Sequence, residues 1–279
     1  MADPSGHGAV VSPIAATAYY CCGVRARDAA SPRPICNDHL AQRFMDAEAE
    51  AIFAPFAGLR APNGSNIVRH RLVDDILRAR LAEHRNLRVV LLGCGFDTRA
   101  FRLTGGTWLE FDEPALLARK EAVLPAAEAP NALCRLATDF SPADLAAQLR
   151  AHADGGPAVV VMEGVSMYLA AAQLQGSLAT LRAALAGHTL LCDLMTRRFA
   201  RRFGGALLAR IRALGGAFGE LSDEPAASVT TAGYRLLGRQ SIPGAAVAQG
   251  AVPIPRWLLA TLLRSLRDGY QLYRFEALP

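Results

Sequence analysis

Lysine is nearly missing from this chain. Lys120 is the only lysine among 30 Lys and Arg residues, and the arginines are scattered along all 279 positions. With so much alanine, the skew fits codon bias in a GC-rich genome. The net charge of +5 is therefore not a concentrated basic stripe, and no nucleic-acid surface is expected. Cysteine is sparse: Cys21, Cys22, Cys36, Cys94, Cys134 and Cys192 include no C-x-x-C pair, which argues against a zinc site. Several sit in or beside apolar runs, where cysteine acts as a small hydrophobe, and a reducing cytoplasm is the expected setting. His7, His39, His70, His84, His152 and His188 show neither metal spacing nor a triad companion, so no metal is expected. The G-x-S-x-G nucleophile elbow is absent. No uncharged apolar run reaches the roughly 18 residues of a membrane span. The opening MADPSGHGAV lacks a basic stretch followed by an apolar one, so it reads as a frayed start rather than a signal peptide.

What is present suits a globular enzyme. Hydrophobic residues are 52% and charged residues 20%, and 29.7 kDa is enough for one large α/β domain with a sizeable core. The most informative stretch is RVVLLGCGFDTRAFRLTGGTWLEFD, residues 88–112. The apolar run Val89 to Leu92 enters Gly93-Cys94-Gly95, and a second run ends in Glu110-Phe111-Asp112. The pattern predicts a buried parallel strand, a tight glycine turn and a neighbouring strand that ends in an acid. Glycines allow close backbone approach to a ligand. Asp112 falls where an α/β nucleotide site places a carboxylate for two ribose hydroxyls. Its bland alternative is to cap the helix opened by Glu113-Pro114.

One position discriminates among adenosine cofactors. A dinucleotide fingerprint needs a third glycine and a helix N-terminus free for pyrophosphate. Here Thr98 takes the glycine's place, and Asp97 adds negative charge. NAD and FAD are disfavoured; a ligand with a cationic centre and an ammonium group, such as S-adenosylmethionine, is favoured. Cys94 has no histidine partner in prospect and sits inside the turn, which argues against a nucleophile.

Around this stretch, helices are expected at 14–30, 38–56 and 67–83, the last capped by Asn66 after a Pro/Gly-rich connection at 55–64. They would form an N-terminal helical cap, residues 1–86. From 87 to 279 the pattern alternates. Strands are expected at 88–92, 107–111, 132–137, 157–162 and 188–194, with helices at 113–124, 141–152 and 170–186. An arginine-rich, partly helical insertion at 195–222 reads as a lid, and weaker strands near 233–240 and 269–276 would close a doubly wound sheet. Glu163 leaves a buried apolar strand, so it must be paired or face a polar cavity, where an ammonium is a natural partner.

LLGCGFDTRAFRL resembles the LGxGxDTRxxRL block of the leucine carboxyl methyltransferase-like family. NIVRHRLVDDIL, LEFDEPALLARK and VVVMEGVSMYL resemble three further blocks in the same order, with Met162 where the family has alanine. That family includes enzymes that methylate the C-terminal carboxylate of protein phosphatase 2A, and bacterial O-methyltransferases of polyketide pathways. The resemblance implies a Rossmann-like class I methyltransferase sheet and S-adenosylmethionine held by Arg69, Gly93, Cys94, Gly95, Asp97, Asp112, Glu113, Asp139, Phe140 and Glu163. On it, Arg69 grips the cofactor's carboxylate, Asp139 accepts the adenine amino group, and Phe140 reads the ring through its backbone. Arg99 would brace Asp97 or Glu163. Tyr168 would line the methyl-transfer channel, and Arg71 would reach acceptor or solvent.

The expected acceptor is a small carboxylic acid or phenol. A carboxylate is ionised at neutral pH and needs no base, whereas a phenol, with a pKa of about 10, usually wants one. No base is evident, which favours a polyketide-like carboxylate. A repurposed adenosyl-ligand binder keeps the same motifs. Arg197/Arg201 and Arg198/Arg202 fall at i, i+4 spacing beside Phe199 and Phe203, so one arginine face of the lid is expected to grip an anionic acceptor. Membrane partners are not expected; an acidic carrier protein is compatible but has no motif.

Overall fold

A computed structural model describes residues 12–152 and 155–279. The opening residues that read as frayed lie outside that range. Seven strands form one sheet: β1 (Arg88–Leu92), β2 (Thr107–Asp112), β3 (Ala132–Ala137), β4 (Ala158–Met162), β5 (Thr189–Met195), β6 (Tyr234–Ser241) and β7 (Tyr270–Ala277). Their order is β3-β2-β1-β4-β5-β7-β6. The first five are parallel, and β7 runs antiparallel between β5 and β6. The strand order reverses beside β1, so a crevice opens at the C-terminal ends of β1, β2 and β4.

The helices follow in chain order: α1 (Pro13–Ala29), α2 (Ala47–Phe53), α3 (Arg60–Glu83), α4 (Arg99–Arg102), α5 (Pro114–Val123), α6 (Pro142–Ala151), α7 (Ala171–Ala184), α8 (Arg197–Phe203), α9 (Gly205–Ala213), α10 (Pro225–Thr230), α11 (Ile242–Ala248), α12 (Arg256–Ala260) and α13 (Arg264–Asp268). Side chains alternate along the strands. Val89, Leu91, Val159 and Val161 join a core with Val68, Leu72, Val73 and Leu77 of α3. Val90, Leu92, Val160 and Met162 join a second core with Leu145 and Leu149 of α6 and Leu174, Leu178 and Leu181 of α7. A third cluster ties α1 and α2 to Phe96 and Leu116. Thus α3 flanks the sheet directly, while α1 and α2 lie over the crevice end.

Three expectations change. The connection at 55–64 is not a loop: α3 starts at Arg60, so Asn66 lies inside the helix, buried, and donates to Cys21 Sγ at 3.2 Å instead of capping. Pro62 falls in the first turn, where a missing N–H costs nothing. Gly64 packs so tightly that an added Cβ would lie 2.7 Å from the Ala251 carbonyl. The expected 38–56 helix is broken at Met45, and α2 restarts under an Asp46 cap that accepts from the Ala49 N–H. Between β6 and β7 run the short helices α11, α12 and α13, which no expectation covered. Helix α6 starts as expected, with Ser141 capping and Pro142 in the first turn.

Candidate active site

The crevice holds a cavity of about 290 Å³. Its walls come from α1 (Thr17, Ala18, Cys21), the turn after β1 (Gly93 to Asp97), the end of β2 (Asp112, Glu113), the end of β3 (Asp139, Phe140) and the end of β4 (Glu163 to Val165), with Arg69, His70, Arg99 and Tyr168. Every expected cofactor residue therefore borders one cavity. Gly93 and Gly95 have φ of 67° and 49°, and a Cβ on Gly93 would meet Val165 at 2.4 Å. Only glycine fits that turn.

Asp112 is buried. Its Oδ2 accepts from Gly95 N at 2.6 Å and its Oδ1 from Glu113 N at 2.8 Å. Burial outweighs these hydrogen bonds and raises its pKa to about 6. A carboxylate has about four acceptor positions, so two remain for a diol. Glu113 Oε1 accepts from Ser12 Oγ at 2.8 Å. Beneath the turn, Lys120 is fully buried, 2.8 Å from Glu110 and 3.7 Å from Cys94 Sγ. Burial pushes the Cys94 thiol well up, which suits a packing role.

Behind the cavity lies a continuous ionic network. Arg99, with no exposed surface, donates from its Nε to Asp74 Oδ1 at 2.6 Å and from its Nη2 to Glu163 Oε2 at 2.7 Å; its Nη1 and its backbone N–H hold Asp97. It thus braces both Asp97 and Glu163. Arg69 donates to Glu163 Oε1 at 3.1 Å, Asp193 Oδ2 at 3.1 Å and Tyr270 Oη at 2.8 Å. Arg25 and Arg102 hold Asp38, and Arg102 also holds Asp74. Burial alone would raise the carboxyls, but the arginines hold Glu163 well below the ordinary range and Asp38 at about 2. Arginines 25, 69, 99 and 102 face carboxylates 38, 74, 97, 163 and 193, and Arg78 adds a fifth positive charge on Asp74, so the network is balanced. His70, Asp97 and Glu163 bring ligand atoms within 4.8 Å of one another. The Arg99 guanidinium already bonds all three, filling the place a cation would take.

Several expected site residues are already engaged within the protein. Arg69 borders the cavity and spends its Nε and Nη1 on Glu163, Asp193 and Tyr270, while its Nη2 makes no hydrogen bond among the described residues. Glu163 likewise has both oxygens on arginines. The Phe140 N–H donates to Thr138 Oγ1 at 3.0 Å, so it is not free to read a ring, and the residue is left-handed with φ 59°. Asp139 is exposed and sets its turn by accepting from Ser141 N at 2.8 Å. Arg71 lies outside the cavity, bonded to Asp75 at 2.8 Å and to the Ile35 carbonyl. None of Arg197, Arg198, Arg201 or Arg202 lines the cavity; Arg197 instead holds the Leu221 carbonyl. The 195–222 insertion meets the site through apolar contact: Phe218 packs edge-on against Tyr168 at 5.2 Å, and Gly219 N donates to Met167 O.

Of the two histidines that folding could have brought to the site, His70 lines the cavity and His39 does not; Asp193, Tyr270, Arg25 and the α1 wall were not read as site residues. Asp193 had a signal, an acid in the middle of the apolar run TLLCDLM. The others act through partners far away in sequence, and nothing local marks them.

A doubly wound sheet with an antiparallel seventh strand and a glycine turn facing a buried acid defines a class I methyltransferase fold. The overall shape is shared with a methyltransferase-assigned structure from Thermobifida fusca at TM-score 0.60, 18% identity and coverage of 92% of this chain and 94% of that one. The family model for leucine carboxyl methyltransferase matches residues 18–182, and the chain belongs to that family. Among its relatives, a Frankia alni protein assigned as an S-adenosyl-L-methionine-dependent methyltransferase is 31% identical across 74% of this chain and 77% of its own length. A similarly assigned Parafrankia protein is 33% identical, but the match spans only 59% of its length. The tetracenomycin polyketide synthesis O-methyltransferase TcmP of Streptomyces glaucescens is 26% identical over 90% of this chain and 92% of its own. Among the described residues, no helix is long and apolar enough to cross a membrane.

Proposed function

We propose that this chain is an S-adenosylmethionine-dependent O-methyltransferase that esterifies a carboxylate of a small, polyketide-like acid. Family membership supports methyl transfer, and the likeness to TcmP supports the acceptor class. The residues suit the cofactor: Asp112 has acceptor capacity for a ribose, Gly93 and Gly95 allow close approach, and the Asp97 and Glu163 carboxylates lie in the cavity wall to face a cationic group. When bound, the cofactor supplies a methyl group already activated on a sulfonium.

The observation that carries the carboxylate reading is that, with Asp112 given to the ribose, neither Tyr168 nor His70 of the cavity wall is poised as a general base. Burial, followed by Cys21, raises the Tyr168 hydroxyl above its ordinary value. Burial and Arg99 lower His70, and both of its ring nitrogens face arginine N–H groups. Arg25, Arg69 and Arg99 are each ion-paired within the network, and the unbonded Nη2 of Arg69 suits the cofactor's own carboxylate rather than the acceptor's. A carboxylate acceptor needs neither base nor clamp, because it arrives ionised and its counter-charge is the sulfonium. The chain's own contribution is to align the two groups and exclude water. A panel of carboxylic acids and phenols, assayed for S-adenosylhomocysteine release, tests this. The expected product is an ester cleaved by mild alkali; an alkali-stable ether formed only from phenols would overturn the carboxylate assignment.

A further inference from the structure

On the far side of the ionic network lies a second groove of about 610 Å³, between the C-terminal turns of α3 and the turn joining α4 to β2. Arg78, Arg85, Arg102, Thr104 and Gly105 line it with three apolar residues, and no acid does. Arg85 is exposed and makes no ion pair among the described residues. Arg78 is held at its edge by Asp74 and Asp75. Arg102 keeps only 5% of its side chain exposed. It donates from Nε to Thr98 Oγ1 at 2.7 Å, from Nη1 to Asp74 Oδ2 at 2.9 Å, and points Nη2 at His70 Nε2, 2.8 Å away. A guanidinium carries five N–H bonds, so one hydrogen on each terminal nitrogen remains available.

His70 is over-subscribed. Its Nδ1 lies 2.7 Å from Arg99 Nη2 and its Nε2 lies 2.8 Å from Arg102 Nη2. Arginine only donates, and a neutral imidazole accepts at one nitrogen. One of these two contacts therefore sets N–H against N–H. Two arrangements resolve the conflict. In the first, Nε2 accepts from Arg102, and Nδ1–H faces Glu163 Oε1 at 3.6 Å. In the second, Nδ1 accepts from Arg99 Nη2, which gives up the His70 carbonyl 3.0 Å away, and Nε2–H faces Asp74 Oδ1 at 3.7 Å.

We propose that the groove binds a small oxyanion, and that the bound anion draws Arg102 outward and selects the second arrangement of His70. Glu163 then loses a facing N–H and presents more negative charge to the main cavity. Anion binding thus tightens cationic cofactor there, and by linkage the cofactor tightens the anion. His70 is the two-state element that both sites bias. The coupling half of this proposal rests on reading the main cavity as the cofactor site.

Calorimetric titration with inorganic phosphate, and separately with pyrophosphate as a model for organic diphosphates, tests the groove. Imidazole nitrogen spectra of His70 follow the tautomer, and S-adenosylmethionine titration with and without phosphate reads the coupling. Expected are saturable phosphate binding, a move of the His70 proton from Nδ1 to Nε2, and about fivefold tighter cofactor binding. Arg85→Glu should abolish the phosphate effects and leave cofactor affinity without phosphate unchanged. Tighter binding of pyrophosphate than of phosphate assigns the site to organic diphosphates; equal or weaker binding assigns it to the free ion. Absence of saturable binding, binding that survives Arg85→Glu, or binding that leaves the His70 tautomer and cofactor affinity unmoved overturns the proposal. If the wild type binds no cofactor at all, the cavity reading fails, while the phosphate and tautomer measurements still decide the groove.

Discussion

Asp112 sits where burial and hydrogen bonding oppose each other. An ordinary carboxyl titrates near 4, and here burial wins and raises it to about 6. A raised carboxyl stabilises the fold while neutral. That contribution is complete below about pH 4 and is lost as pH rises through about 6, an effect of about 3 kcal/mol. The ligand-free protein should therefore lose about that much stability between pH 4 and 7 relative to Asp112→Asn. Urea denaturation at several pH values checks this, and parallel pH profiles would show that Asp112 is not the titrating group. Arg99 poses the complementary case. Arg99→Ala would leave Asp97 without its cation and take one partner each from Asp74 and Glu163, and removing one partner of a buried ion pair costs about 3–5 kcal/mol. Arg99→Lys keeps the charge but loses the fork, so it should recover only part of the loss. A ΔΔG under about 1 kcal/mol for Arg99→Ala would mean that the network is not structural.

The elements that shape the site make their own demands. Gly164, just after β4, has φ 73°, and an added Cβ would lie 3.1 Å from Arg69 Nη2. Gly164→Ala should cost about 1–3 kcal/mol in backbone strain and also displace Arg69. A thermal melt without change in midpoint would contradict this. In the insertion, the double neutralisations Arg197/Arg201 and Arg198/Arg202 should both be nearly neutral, within about 1 kcal/mol, because these arginines are exposed and lie outside the cavity. A large fall in turnover with either pair would reinstate an arginine clamp.

Elements differ in how far their sequences disclose them. The turn after β1 was legible because an apolar run, two glycines and a spaced acid lie within one stretch and answer to local rules. The start of α3 was not: Pro62, Gly64 and Ser65 are loop formers by habit, and only packing of Gly64 against Ala251 makes them helical. The positions of Arg69 and Glu163 at the site were legible, as was the brace from Arg99 to Glu163, but the bonding of Arg69 was not, since it depends on Tyr270, a partner 201 residues away. The arginine pairs of α8 were legible as a pattern but gave the wrong face, because spacing alone does not say which side of a helix meets the site.

At the scale of the whole molecule, the sheet brings segments from α1 to the start of α7 onto one cavity, and ligand binding should stabilise all of them together. Cofactor at a hundred times its Kd should add about 2.7 kcal/mol to the unfolding free energy. The most direct measurement is calorimetric titration of S-adenosylhomocysteine into the wild type and Asp112→Ala near pH 7.5. One saturable site is predicted for the wild type. Loss of two charge-assisted hydrogen bonds, about 2–4 kcal/mol, predicts affinity lower by at least about 30-fold in the variant. No binding by the wild type, or equal affinity in both proteins, would contradict the account.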